Sequence, residues 1–162
     1  MKTPLSLAFT TGLLSALWAW LAVALNLPSW AGFLGCTAFF ACPHPGRKGL
    51  LIALATVTSG VVWAQVIIHA GALVTAQWAG YALTGVIAFV MCIQAQRRLL
   101  AFIPGTFIGA CATFAGQGDW HSVLPALWLG VAFGAAMNLS GRWLARPRKA
   151  VDIKPDVKGL AD

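Results

Sequence analysis

The chain has 162 residues, of which 59% are hydrophobic and only 9% are charged. Soluble domains carry about a quarter of their residues as charged side chains, so this composition excludes a single water-soluble core and indicates a membrane protein. The net charge of +7 does not indicate nucleic-acid binding, because the Lys and Arg residues lie in small groups at the ends of apolar runs and in the tail.

Six apolar segments follow one another, and they cover residues 5–26, 29–42, 49–72, 78–95, 99–116 and 122–144. Four have the roughly 20 residues that cross a hydrocarbon core of about 30 Å. The second would span only about 21 Å as a helix, and the fifth is similar once Pro104 and Gly105 mark its helical start. By length alone, each short segment is either a crossing or a re-entrant loop.

The positive-inside rule favours six crossings, with both termini in the cytoplasm. In that arrangement Lys2, Arg47, Lys48, Arg97, Arg98 and the basic tail all lie inside, and no outer loop carries Lys or Arg. The first segment imitates a signal peptide, but we expect it to be retained because it completes the first half of the chain. Residues 147–162 are polar and contain two prolines, which predicts a disordered cytoplasmic tail after a single transmembrane domain over residues 1–146.

A shift of 74 positions aligns residues 32–41 with residues 106–115, and five of the ten positions are identical. Because each half then holds three crossings, an odd number, the second half enters the membrane in the opposite orientation. We therefore expect an all-α membrane protein of six transmembrane helices, built from two inverted three-helix repeats over about 5–72 and 78–144, with short Gly-rich second and fifth helices.

Small residues and paired phenylalanines on the two short helices point to a path for solute. Short, glycine-bearing helices at matched positions are typical of a transporter midplane site, although tight helix packing explains them equally. Two pairs of phenylalanines, each spaced by seven residues, could form aromatic constrictions or simply face lipid. Polar side chains on the crossings could line the path or join helices. The candidate pore or substrate-path residues are Phe33, Gly35, Cys36, Thr37, Phe40, Phe107, Gly109, Cys111, Thr113, Phe114, Gln65 and His69.

No Asp, Glu, Lys or Arg lies in the middle of a crossing, which favours passive conduction over an ion-coupled pump. Asp119 and His121 form one acid and imidazole pair in an outer loop, a weak signal for catalysis. We expect no enzyme activity, no catalytic residues and no cofactor. The four cysteines lack zinc spacing and are interpreted as packing residues, with a soft-metal site at Cys36 and Cys111 as the alternative.

Three stretches carry a resemblance to a known family: residues 29–38, residues 59–64 and, longest, residues 104–120. They resemble the YcdZ-like bacterial inner-membrane proteins, grouped as domain of unknown function 1097, over about residues 5–144. The resemblance implies a small multi-pass protein of the bacterial cytoplasmic membrane. It brings no established substrate, cofactor or catalytic residue.

The leading hypothesis is a channel or facilitator for a small neutral or weakly charged solute, in which the two short helices cross near the centre. The alternative is a non-transporting scaffold or partner subunit, and an intramembrane enzyme is a third. The chain is small for a transporter, so we expect homo-oligomers in the lipid bilayer. The two main hypotheses differ in whether Gly35 and Gly109 face only another helix or partly a cavity.

Overall fold

The computed structural model describes residues 3–73 and 76–145, and all regular structure within those ranges is helical. The predicted tail, residues 147–162, lies outside the described residues. The helices are α1 (Thr3–Ala24), α2 (Ser29–Ala41), α3 (Gly46–Ala72), α4 (Gln77–Ile93), α5 (Ile103–Ala115) and α6 (Trp120–Leu144), with a 3₁₀ turn at Gln94–Gln96. The predicted all-α class and the order of six helices are confirmed.

Within the described ranges, four stretches are long and apolar enough to cross a membrane: Leu5–Ala24, Gly46–Ala72, Gln77–Gln96 and Trp120–Leu144. Helices α2 and α5 have 13 residues each and rise only about 20 Å. The chain is therefore a helical membrane protein in which two helices are shorter than the hydrocarbon core is thick.

Prolines set several helix boundaries. Pro28 and Pro45 precede α2 and α3, and Pro104 lies in the first turn of α5, where its missing N–H would have no partner in any case. Cys42 ends α2 with an extended backbone (φ −67°, ψ 127°), because the ring of Pro43 disfavours a helical residue before it. The chain thus leaves α2 abruptly and begins α3 at Gly46, three residues earlier than predicted.

Each short helix packs chiefly on the last helix of the other half of the chain: α2 on α6, and α5 on α3. Helices α3 and α6 also contact each other, as do α2 and α5, so these four form the core. Helix α1 packs along α6, and α4 contacts α3 and α5 and contributes only Ile87 and Met91 to the buried residues. The core therefore depends on contacts between distant parts of the chain.

Candidate functional site

Gly35 and Gly109 lie where the short helices contact the long ones. A Cβ atom at Gly35 would overlap the carbonyl oxygen of Leu127 and the amide of Val131 on α6. A Cβ atom at Gly109 would overlap the carbonyl oxygen of Val57 on α3. Positions 35 and 109 differ by 74, as do 57 and 131, although the backbone atom nearest to Gly35 belongs to Leu127 and not to Val131. Both glycines face a helix backbone and allow close approach.

The opposite side of each short helix is exposed, and the exposed residues match one for one under the same shift. Phe33 and Phe107 are 42% and 40% exposed, and Phe40 and Phe114 are 43% and 44% exposed. Helices α2 and α5 contact each other, and together we name their two exposed rows the paired stripe. Its members are Trp30, Phe33, Thr37, Phe40 and Ala41 on α2, and Pro104, Phe107, Cys111, Phe114 and Ala115 on α5.

The remaining candidates on the short helices divide between the two faces. Thr37 is on the paired stripe and donates to the carbonyl of Phe33 at 2.9 Å. Cys36 is buried, with its sulfur 3.1 Å from the carbonyl oxygen of Gly130. Thr113 is also buried and donates to the carbonyl of Gly109 at 2.9 Å. The structure therefore exposes Thr37 and Cys111 and buries Cys36 and Thr113.

Gln65 and His69 lie in a groove between α3 and α6, and no residue of the paired stripe lines it. The groove has a volume of about 600 Å³ and is lined mainly by apolar side chains. The Gln65 amide donates to the carbonyl of Gly118 at 2.7 Å, which ties α3 to the loop after α5. A neighbouring depression of about 760 Å³ shares Thr58 with it, and the indole of Trp128 donates to that hydroxyl at 2.9 Å. The structure thus places Gln65 and His69 away from the paired stripe.

A polar cluster around Gln94 was not predicted from the sequence. The side-chain carbonyl of Gln94 accepts from Ser59 at 2.8 Å and from the indole of Trp63 at 2.9 Å, both on α3. Its amide donates to the hydroxyl of Thr106 on α5 at 3.3 Å. Gln94 sits in the 3₁₀ turn after an apolar run, where a glutamine gives no signal beyond the end of a helix. Its role is to join α3, α4 and α5.

Charge divides the two ends of the molecule. The described basic side chains lie where α3 begins, where the chain leaves α4 and where α6 ends: Arg47, Lys48, Arg97, Arg98 and Arg142. We name this the basic end. The only acid among residues 3–73 and 76–145 is Asp119, at the opposite end. A hydrogen bond from the Ser122 hydroxyl holds the pKa of the exposed Asp119 carboxyl below its usual value. Within the described ranges, no three His, Cys, Asp or Glu residues group as metal ligands.

Comparison with known proteins identifies the family. The sequence profile described as "Protein of unknown function (DUF1097)" matches residues 8–142. The chain belongs to the DUF1097 family. The predicted YcdZ-like resemblance is confirmed, and the match covers all of the paired stripe and both glycine contacts.

Two relatives are similar to nearly the whole chain. The chain is 60% identical to "Inner membrane protein YcdZ" of Escherichia coli K12, covering 99% of this chain and 100% of the relative. It is 63% identical to the protein of the same name from Salmonella typhimurium LT2, covering 92% and 94%. It is also 31% identical to "Uncharacterized protein YahC" of E. coli K12, covering 84% and 89%. No solved structure matches the chain.

Proposed function

We propose that this chain is a non-enzymatic facilitator or channel of the bacterial inner membrane, for a small neutral or weakly charged solute. The observation that carries the proposal is the paired stripe, because two short helices that contact each other expose matched rows of residues. The names of the E. coli and Salmonella relatives support the inner-membrane location.

The proposed topology is six crossings in two inverted three-helix repeats, with both termini in the cytoplasm. The distribution of charge supports it, since the described basic residues cluster at one end and basic residues of short loops stay inside. The Gly35–Val131 and Gly109–Val57 contacts are related by one shift, which supports the repeat. An odd number of crossings in each half makes the repeats inverted.

The path we propose runs over the paired stripe and not between Gly35 and Gly109. Both glycines are closed off by helix backbone, so they leave no space for a solute. The stripe belongs to helices that rise about 20 Å in a core of about 30 Å. If it faced lipid, the loops at the helix ends would lie at membrane depth, where irregular backbone is tolerated only against protein or water. We infer that a second copy of the chain covers the stripe and completes the path.

The four phenylalanines of the stripe would form two constrictions, one toward each side of the membrane. Phe33 and Phe40 are two turns apart on one face of α2, and Phe107 and Phe114 repeat this on α5. Rings at a narrow point restrict the path to small solutes. The hydroxyl of Thr37 is already bonded to its own helix, so it offers a mildly polar surface between the rings.

A second candidate is a scaffold or partner subunit that transports nothing. Direct packing of Gly35 and Gly109 on helix backbones favours it, because such contacts stabilise a bundle without any path. In this case the paired stripe would be only the surface that binds a partner. The two candidates therefore differ in whether water reaches the middle of the stripe.

Uptake by proteoliposomes tests the proposal. Purified protein would be reconstituted, and the entry of water, small amides and small organic acids would be compared with that into empty liposomes. We expect faster entry of at least one solute, and a changed rate when Phe33→Ala and Phe107→Ala are combined. Phe89→Ala is the matched control, since Phe89 is an exposed ring on α4 outside the stripe. Uptake equal to that of empty liposomes for all these solutes would reject the facilitator.

A further inference from the structure

A separate cavity of about 310 Å³ opens at the basic end, between the α2–α3 loop and the end of α6. Its lining is more polar than that of the groove between α3 and α6 or of the neighbouring depression. Its walls come from two distant parts of the chain. The lining residues are Phe39, Phe40, Cys42, Pro43, His44, Pro45, Gly46, Asn138 and Arg142. None of the candidate residues except Phe40 lies there.

Two side chains that line this cavity offer hydrogen-bond donors. Asn138 and Arg142 are four residues apart on α6, so they share a face, and both line the cavity. A guanidinium offers a planar fork of donors that matches two oxygens of a carboxylate or phosphate. Gly46 begins the 27-residue helix α3, and the first amides of a helix have no intrahelical partner and favour an anion.

The wall opposite Arg142 is held in place before any ligand binds. His44 lies between Pro43 and Pro45, whose rings restrict the backbone on both sides. The carbonyl of His44 packs on Gly49 so closely that a Cβ there would overlap it. The Nδ1 atom of His44 is buried and has no hydrogen-bond partner, so part of the hydrogen-bonding capacity of this ring is unused. A preordered wall lowers the entropic cost of binding.

No carboxylate among the described residues neutralises this cavity, because Asp119 lies at the other end of the molecule. The volume is at the lower end of the range for small-molecule sites, about 300–1,000 Å³. Rings of Phe39, Phe40 and Pro43 supply an apolar side. Charge, size and lining together fit a ligand with one oxyanion group and a short apolar tail.

We propose that the cavity at the basic end binds a small organic oxyanion, of the short-chain carboxylate class, through Arg142 and Asn138. Phe40 belongs both to this cavity and to the paired stripe. The site therefore lies at one mouth of the path, and the bound carboxylate belongs to the class of solute carried. The statement that the carboxylate is carried rests on the proposed function, whereas the statement that the cavity binds a carboxylate does not.

Butyrate is the probe, and full-length protein in phosphatidylcholine nanodiscs is the sample. Binding would be measured by calorimetric titration, with butyramide as the uncharged analogue of similar shape. We expect butyrate to bind and butyramide to bind at least about tenfold more weakly, since charge-assisted hydrogen bonds exceed neutral ones. Arg142→Gln should weaken butyrate binding by about tenfold or more. Arg98→Gln should leave it unchanged, because Arg98 is an exposed cation at the same end that does not line the cavity.

A soluble short-chain phosphatidylglycerol would be titrated in the same way as a second ligand, because a lipid headgroup offers a similar oxyanion. Binding of this lipid without butyrate would assign the cavity to lipid and overturn the carboxylate proposal. The carboxylate proposal would also be overturned if Arg142→Gln and Arg98→Gln weakened butyrate binding equally, or if the wild-type protein did not bind butyrate. Butyrate binding without uptake in proteoliposomes would leave the site intact and reject the proposed function instead.

Discussion

Phe33 and Phe107 occupy the same position on two helices of equal length, and they are exposed to nearly the same extent, 42% and 40%. The shift of 74 residues that relates them also relates Gly35 to Gly109 on the buried side. Each short helix thus has one face closed by backbone contact and one face left open. This division makes the paired stripe the most distinctive surface of the molecule.

Enlarging Gly35 should destabilise the core. In the variant Gly35→Ala the new methyl overlaps the backbone of α6 at Leu127, and overpacking of this kind costs about 1–3 kcal/mol. Gly12→Ala is the control, because no atom lies within 4 Å of a Cβ there. Thermal unfolding in detergent should show a lower midpoint for Gly35→Ala only. Equal midpoints for both variants would mean that α2 does not approach α6 so closely.

Replacing Trp18 should loosen the contact between α1 and α2. The fully buried indole donates to the carbonyl of Ser29 at 2.9 Å and meets the ring of Phe133 edge to face, with 5.6 Å between centroids. Trp18→Phe leaves that carbonyl without its donor, at a cost of about 1–3 kcal/mol. Trp20→Phe alters an exposed ring and should have little effect. The same unfolding assay would decide between these outcomes.

Replacing Gln94 should leave several polar side chains without their hydrogen-bond partners. Gln94→Ala removes the acceptor of Ser59 and Trp63 and the donor to Thr106, and because these bonds are only partly buried, the expected cost is about 1 kcal/mol for each. Gln96→Ala, at an exposed position of the same turn, is the matched control. Hydrogen exchange should rise in α4 and α5 only in the first variant. Unchanged exchange in both would show that the cluster does not hold these helices together.

Asp119 provides a pH-dependent contribution to stability. Its pKa is lowered in the folded chain, chiefly because the Ser122 hydroxyl donates to the carboxylate. The contribution is therefore present above the unfolded pKa, about 3.9, and is lost as pH falls through the folded pKa. Carbon-detected NMR titration should give a higher Asp119 pKa in Ser122→Ala than in Ser122→Thr, which keeps the hydroxyl. Identical pKa values in both variants would contradict this cause.

Hydropathy and proline positions were enough to predict the helices. Six segments appear in the predicted order, and the short second and fifth helices follow directly from segment length and from Pro104. The spacing of apolar residues along the sequence could not predict which face of α2 or α5 is buried. That choice depends on α2 packing on α6 and α5 packing on α3, contacts that join distant parts of the sequence.

Two features show where the sequence falls short. Cys36 and Cys111 both lie in mid-helix, but the repeat shift pairs position 36 with 110, and one residue turns a helix by about 100°. Cys36 therefore faces α6 while Cys111 is exposed. The cavity of His44 and Arg142 was missed because a loop and a helix end meet only after α2 packs on α6.

The central claim is that water reaches the middle of the paired stripe. Single cysteines at position 111 and, as Thr37→Cys, at its equivalent on α2 would be treated in proteoliposomes with a membrane-impermeant thiol reagent. Val86→Cys provides an exposed mid-helix control on α4, and native Cys36 a buried one. We expect labelling at positions 37 and 111 and none at positions 86 or 36. Labelling at neither 37 nor 111 would place the stripe against lipid or a dry partner and contradict the path.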